Sequence, residues 1–326
     1  MHPPFSVILL TTLIGVGQGL FLALYTGQVY AFFGLLPEQD SVRFYAAGGL
    51  LSLLLLGAGL FASFFHLGHP ERAWRSAAMW RTSWLSREVI LLPAFMAVVA
   101  AYALAHYFQW YPSIVSVGSG AAIDPTHVLG AIGTLLCFAL FICTGMIYAC
   151  MRFLQEWHTP LTVINYVLLG GASGFSLAAA YSAATAPQVT VFFAVWATII
   201  TACALAGRVA TLVRNARLKP RSSLQTAIGV KHATIAQKSQ GFMGGSFNTR
   251  EFFHGKPVLF LRSVKWIFLL LSFPVPMLLL LSGVRSASVT LLALAFAVQY
   301  LGLLAERWFF FAQANHPQNL YYQVVS

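Results

Sequence analysis

The feature that most constrains this sequence is a series of eight apolar runs, each long enough to cross a lipid bilayer as a helix. The hydrocarbon core of a bilayer is about 30 Å thick, and an α-helix of about 20 residues spans it. Backbone groups in that core must be hydrogen-bonded within the protein, and β-barrel strands of about ten residues do not fit runs of this length. The sequence therefore predicts an all-α, polytopic membrane bundle with eight transmembrane helices, at residues 5–33, 42–65, 89–108, 126–151, 161–181, 189–213, 258–283 and 287–311.

The composition excludes a soluble globular class. Only 8% of the residues are charged and 59% are hydrophobic, whereas soluble domains carry about 25% charged residues. We expect one domain over residues 1–326, with a basic loop at residues 214–257 between the sixth and seventh spans.

Cysteines and glycines inside the spans indicate packing. No two of the four cysteines form a CxxC pair, which disfavours an iron–sulfur cluster or a zinc site in this chain. The glycines of GVGQGL and LGGASG fall in the middle of the first and fifth spans. Small residues let helix backbones approach closely, so we expect direct helix contact at both clusters.

The basic residues are strongly biased to one side of the membrane. Of the 19 Lys and Arg, all except Arg43 and Arg285 lie on the side that holds both termini and the loops after even-numbered spans. Basic residues favour the cytoplasmic face, so we expect both termini to be cytoplasmic. The net charge of +11 follows from this bias. Nucleic-acid binding is disfavoured because no binding motif accompanies the charge, whereas contact with anionic lipid and docking of a partner protein both remain open.

One stretch between the second and third spans concentrates polar groups. Residues 61–90 read FASFFHLGHPERAWRSAAMWRTSWLSREVI. Pro70 breaks the helix after His66, and Ser86, Arg87 and Glu88 open the third span. The stretch is therefore expected at headgroup depth, with the imidazole and the carboxylate facing each other across a tight connection.

This arrangement suits a quinone, which enters from the bilayer and exchanges protons as it is reduced or oxidised. Histidine exchanges a proton near neutral pH, so His66 is a candidate donor, and Glu88 is a candidate carrier of protons to or from water. Arg72 or Arg87 is expected to hold that carboxylate or to stabilise negative charge on the quinone. Trp74 and Ser86 complete the candidate site. The alternative is that snorkelling arginines, interfacial tryptophans and a helix-end histidine only anchor the chain at the membrane surface.

Three motifs carry a family resemblance over essentially the whole chain. They are the pattern H-L-G-x-P-x-R-A-W with S-W-L-S-R-E in the stretch above, GFMGGSFNTREFFHG at residues 241–255, and ERWFFFAQANHPQNLYY at residues 306–322. Together they resemble the membrane-anchor subunit of dimethyl sulfoxide reductase-type enzymes.

The resemblance implies a bacterial inner-membrane subunit that exchanges electrons with ubiquinone or menaquinone. It implies two partners, a molybdopterin catalytic subunit and a ferredoxin-like subunit with four iron–sulfur clusters, and places neither cluster nor molybdenum in this chain. The family's histidine and glutamate implicated in quinol chemistry fall on His66 and Glu88. Arg72 matches a motif position, while Ser86 and Arg87 match more weakly.

Within this family the chain looks most like the cytoplasmic sulfite-oxidising branch. The charge bias puts the matching stretch on the cytoplasmic side, and the basic loop with GGSFNTREFF agrees with that branch. The resemblance thus implies electron flow from sulfite to quinone, with a quinol-oxidising sulfoxide reductase anchor as the alternative. The loop is expected to dock the iron–sulfur partner rather than act as a mobile tether, through Gly244, Gly245, Asn248, Arg250 and Glu251.

His106 and His127 form a second candidate pair near the opposite face. Two such histidines could ligate a b-type haem, but interfacial hydrogen bonding is the preferred interpretation and haem is not expected. Asp124 and Thr126 predict an N-terminal cap of the fourth span.

A secondary transporter is the alternative from another functional class. Transporters tend to show repeated halves and a polar site at mid-membrane. Here the polar cluster lies at one interface, no repeat is evident, and charges in the middle of the spans are almost absent, which disfavours an ion path. A passive anchor with no chemistry of its own also remains open.

Overall fold

The predicted helical bundle is present. The computed structural model describes residues 1–117, 121–219, 222–235, 254–317 and 319. Among these residues, eight helical segments are long and apolar enough to span a membrane, and their ends agree with the predicted spans to within a few residues. They are Phe5–Phe32, Ser41–His66, Trp84–Tyr107, Pro125–Ala149, Pro160–Thr185, Pro187–Ala216, Val258–Arg285 and Val289–Ala312.

Hydroxyl and carboxylate caps fix where several helices begin. Ser83, Asp124, Thr159 and Ser288 each accept a hydrogen bond from a backbone N–H of the first turn, which satisfies a donor that the helix itself leaves free. The helices are α1 (Phe5–Phe32), α2 (Ala47–Ser63), α3 (Trp84–Tyr107), α4 (Pro125–Ala149), α5 (Pro160–Thr185), α6 (Thr190–Ala216), the short α7 (Leu224–Ile228), α8 (Val258–Ser272), α9 (Pro274–Arg285) and α10 (Val289–Ala312).

Two spans combine more than one helical form. A π-helical segment, Ser41–Ala46, leads into α2, and a 3-10 turn, Phe64–His66, ends that span. The seventh span is broken at Phe273 between α8 and α9, because Pro274 and Pro276 follow. Proline lacks the backbone N–H that a continuous helix needs.

The centre of the bundle is formed by α1 and α5, which are the most buried spans. Gly19 of α1 lies against Gly170 and Gly174 of α5, so closely that a Cβ at Gly19 or Gly174 would overlap the backbone of the other helix. The close contact predicted from the two glycine clusters is therefore confirmed.

The helices alternate in direction, and the bundle has two distinct ends. We call the end that holds the starts of α1 and α3 the motif end, and the opposite end the far end. At the far end, strands β1 (Val115–Val117) and β2 (Ala121–Ile123) form a small antiparallel pair in the loop between α3 and α4. The all-α prediction did not include them, since strands of three residues are too short to leave a recognisable alternating pattern.

Candidate functional site

The polar stretch forms an exposed connection at the motif end. After Phe64–His66, a second 3-10 helix covers Pro70–Met79 and leads to α3. Along it, guanidinium groups lie over indole rings, with Arg75 5.6 Å from the centre of Trp74 and Arg81 5.3 Å from that of Trp80. Arginine paired with tryptophan is typical of the level where lipid headgroups meet the hydrocarbon core.

Glu88 lies in α3 and points into the bundle. The helix begins at Trp84, earlier than the predicted start at residue 89, so Ser86, Arg87 and Glu88 are helical. Ser83 caps the helix by accepting from the backbone N–H of Ser86 at 3.3 Å. Glu88 is half-buried, and its Oε1 accepts a hydrogen bond from the Thr144 hydroxyl of α4. The carboxylate is thus held by a neutral donor on a neighbouring helix.

Neither candidate arginine holds Glu88. Arg72 is exposed, and its Nε lies 3.7 Å from Oε1 of Glu71. Arg87 donates from Nε to the Trp80 carbonyl oxygen at 2.9 Å and from its terminal nitrogen to that of Arg81 at 2.8 Å. The expectation that either arginine positions the carboxylate is wrong, because both guanidinium groups are engaged by the connection itself.

His66 and Glu88 lie at the same end of the bundle but face different surroundings. His66 is exposed at the end of its span, whereas Glu88 is turned toward α4. No hydrogen bond or ion pair between them is found among the described residues. A ligand that contacts both side chains would therefore have to reach from the exposed surface around His66 to the interior of the bundle beside Glu88.

A narrow cavity inside the bundle reaches Glu88. It has a volume of about 10 Å³, which is room for about one water molecule. Glu88 and Thr144 line one part of its wall, and Gln18, Tyr166 and Arg307 line others. The Tyr166 side chain is buried, and among the described residues its hydroxyl makes no hydrogen bond of ordinary geometry.

Next to this cavity lies a cluster of buried charges from α6 and α10. Arg208 Nε is 2.8 Å from Glu306 Oε1, and Arg307 Nε is 3.5 Å from Glu306 Oε2. All three side chains are at most 4% exposed. Both arginines were expected among the basic residues that contact anionic lipid or a partner protein, whereas the structure buries them. A usable signal was present, since each of them lies inside an otherwise apolar span.

The far end contains the second histidine pair, in an open cavity of about 510 Å³. His106 Nδ1 is hydrogen-bonded to the Ser41 hydroxyl at 2.7 Å. His127 Nδ1 lies 3.0 Å from Oδ1 of Asp124, which also accepts from the backbone and side chain of Thr126. The predicted cap of α4 is therefore confirmed. Burial raises the pKa of Asp124, but the hydrogen bonds from Thr126 and His127 lower it more, so it lies below its ordinary value of 3.8.

Two further expectations concern partners and metals. The expected docking residues Gly244, Gly245, Asn248, Arg250 and Glu251 lie outside the described residues. In the part of the chain that the structure describes, no group of three or more His, Cys, Asp or Glu is placed to hold a metal ion.

Comparison with known proteins identifies both a family and a relative. A family described as the DMSO reductase anchor subunit (DmsC) matches residues 1–313. A sulfite dehydrogenase subunit of Allochromatium vinosum is 59% identical over 326 residues, which is 100% of both chains.

Proposed function

Since this chain belongs to the DmsC family of DMSO reductase anchor subunits, we propose that it reacts with quinone at its motif end. In this proposal a ferredoxin-like subunit with four iron–sulfur clusters docks there and receives electrons from a molybdopterin catalytic subunit. The electrons pass to ubiquinone or menaquinone, so the chain is both an anchor and the place where the complex meets the quinone pool.

The single observation that carries the proposal is the position of Glu88. Its carboxylate lies in the first turns of α3, is held by the hydroxyl of Thr144, and has no cation within ion-pair distance among the described residues. A carboxylate that is fixed but not neutralised by a neighbour can gain or lose a proton as its surroundings change. This is the property needed beside a quinone, which takes up two protons with two electrons.

The surfaces around Glu88 suit the rest of the reaction. His66 lies at the lipid-facing surface of the same end, among exposed aromatic side chains that include Phe65 and Trp74. Apolar and aromatic groups suit the ring and tail of a quinone, and an imidazole donates a proton to one of its oxygens. Glu88 exchanges the second proton with the quinone from the side of the bundle interior. In this proposal Arg72 favours negative charge on the bound quinone and does not orient Glu88.

Sulfite is the favoured source of the electrons. The relative from Allochromatium vinosum is a sulfite dehydrogenase subunit and matches over its full length. The second candidate is the reverse direction, in which quinol is oxidised and a sulfoxide is reduced, and the family description favours it.

We further propose that the motif end faces the cytoplasm of a bacterial inner membrane. The basic residues that remain exposed there, including Arg72, Arg75 and Arg81, support this orientation. The partners then lie on the cytoplasmic side, with the loop at residues 214–257 beside them.

The test is a Glu88→Gln variant of the purified three-subunit complex. Two activities are measured, namely sulfite-driven reduction of a short-chain quinone and sulfite-driven reduction of a soluble dye. We expect quinone reduction to fall by at least about 100-fold, because the amide cannot exchange a proton, while dye reduction stays at the wild-type rate. Glu71→Gln, on the exposed connection, is the matched control and is expected to keep both activities.

Unchanged quinone reduction in Glu88→Gln would overturn the proposal and favour a passive anchor. A complex that reduces sulfoxide with quinol but does not oxidise sulfite would reverse the direction and leave the site in place.

A further inference from the structure

An apolar groove runs between α6 and α9 on the outside of the bundle, with a volume of about 520 Å³. The buried side chains of Ala194 and Leu280 form its floor. Its walls are exposed apolar side chains that include Val191, Val195 and Leu281. Both helices belong to membrane spans, so the groove is a concave surface that faces the hydrocarbon of the bilayer.

The break in the seventh span explains why the groove is present. Pro274 and Pro276 begin α9 as a separate helix after Phe273. This helix lies tightly against α10, where a Cβ at Gly283 would come within 2.8 Å of the Leu292 side chain. Because the close approach of α9 is to α10, a groove remains on the side of α9 that faces α6.

The length of the groove matches one leaflet of the membrane. Residues that line it extend along α9 from Pro274, at the break, to Val284, near the far end. Twelve residues of α-helix are about 18 Å long, and one leaflet is half of a hydrocarbon core of about 30 Å. A hydrocarbon chain that enters at the far end would therefore contact the groove over most of its length.

The lining favours a hydrocarbon chain over a polar ligand. In the part of the chain that the structure describes, Thr198 is the one polar residue of the lining, and its hydroxyl already donates to the Ala194 carbonyl oxygen at 2.8 Å. A quinone ring needs donors for its two carbonyl oxygens, so the groove does not suit the head of a quinone. An acyl chain needs no donor, and it gains van der Waals contact with the floor and both walls.

A positive charge lies at the far-end opening of the groove. Arg285 is the last residue of α9, directly after Val284, and its side chain is exposed. Among the described residues, no ion pair or side-chain hydrogen bond of Arg285 is found. The first turn of α6 borders the same opening through Val191, and the N-terminus of a helix also favours an anion. An anionic group at the membrane surface would thus be attracted from both sides of the opening.

We propose that this groove binds one phospholipid of the far leaflet, with an acyl chain between α6 and α9 and its phosphate beside Arg285. A phospholipid combines the two features that the groove requires, which are a chain as long as one leaflet and an anionic group at the membrane surface. The site binds lipid and takes no part in electron transfer, so it goes beyond the proposed function and does not depend on it.

The test is photolabelling of the purified complex in nanodiscs that contain phosphatidylethanolamine and phosphatidylglycerol, with a diazirine on the acyl chain of the phosphatidylglycerol. Labelled peptides are identified by mass spectrometry, and we expect label on the groove-lining parts of α6 and α9. Arg285→Gln should lower this labelling about fivefold, which is the effect of one basic residue near a lipid headgroup. Arg43→Gln removes the other arginine of the far side and is the matched control, with labelling as in wild type.

A second variant tests the groove itself. Val195→Trp fills the groove from a side chain that is already exposed to lipid, so the fold should tolerate it. We expect it to abolish labelling of α9. Leu135→Trp, at an exposed position of α4 that does not line the groove, is its matched control and should keep the label.

Loss of label in Arg285→Gln and in Val195→Trp, with both controls unchanged, supports the proposal. Equal labelling of wild type and both variants would indicate only the general lipid coat of a membrane helix and would overturn it. Loss in Val195→Trp alone would also overturn it, because the phosphate would not lie at Arg285. Groove peptides without label in wild type would overturn it as well, since a protein segment would then cover the groove. None of these results depends on quinone turnover.

Discussion

The two ends of the bundle contain similar chemical groups in different arrangements. At the far end, Asp124 is satisfied by Thr126 and His127, which are its near neighbours in sequence. At the motif end, Glu88 and Arg307 meet at one cavity although they come from α3 and α10. Partners close in sequence are what a helix cap requires. Charged groups assembled from distant helices add little net stability compared with apolar packing, but removing one member leaves another charge buried without its partner and is costly.

The largest effect on stability is expected from Arg208→Ala. The variant leaves Glu306 with Arg307 alone and removes a fully buried side chain that packs on Phe268. We expect the free energy of unfolding to fall by about 3 kcal/mol, measured by chemical unfolding in mixed micelles. Arg285→Ala, on the exposed far end, should change it by less than about 0.5 kcal/mol. Equal losses of unfolding free energy in Arg208→Ala and Arg285→Ala would contradict the expected difference between the two ends.

A smaller effect, on turnover, should separate the two histidine regions. His66→Ala is expected to lower sulfite-driven quinone reduction by about 100-fold, because the proton donor at the lipid-facing surface is lost. His106→Ala should leave the rate unchanged, since its imidazole is bonded to Ser41 at the other end. Dye-linked activity of the same preparations reports assembly. If His106→Ala lowers quinone reduction and His66→Ala does not, the quinone site lies at the far end instead.

The smallest effect concerns the cap of α4. Asp124→Ala removes the acceptor for the backbone N–H groups of Thr126 and His127, so we expect a loss of about 1 kcal/mol in unfolding free energy with no loss of quinone turnover.

The Asp124→Ala variant also tests the direction in which the free energy of unfolding changes with pH. Because the pKa of Asp124 is lowered in the folded state, its contribution is present above the ordinary value of 3.8 and is lost as pH falls through the folded pKa. The variant should therefore lose less stability on acidification than wild type does. A steeper acid loss in the variant would contradict this assignment.

The spans were predictable because their signal is local. Roughly twenty consecutive apolar residues specify a membrane helix without knowledge of any neighbour, and the cap at Asp124 follows from adjacent residues. The sequence predicted that each glycine cluster would contact another helix closely. It did not predict that the clusters of α1 and α5 would contact each other.

The orientation of Glu88 was not predictable, because a helix with apolar residues on all sides has no face that the sequence marks as inward. The pairing of Arg208 with Glu306 joins residues that lie on different helices, far apart in the chain, and no periodic pattern encodes it. A count of basic residues treats every arginine as exposed. Burial of Arg208 depends on a single carboxylate on another helix, and burial of Arg307 depends on the same carboxylate at the preceding position.

The glycine crossing of α1 and α5 has a consequence for the membrane as a whole. Gly15 and Gly170 border the cavity of Glu88, and just beyond it Gly19 and Gly174 bring the two backbones into direct contact. The cavity has room for about one water molecule, and a chain of waters running from it to the far end would let protons cross the membrane. The crossing closes that route, so a bulky residue at Gly19 should make the bilayer leaky to protons even where electron transfer survives.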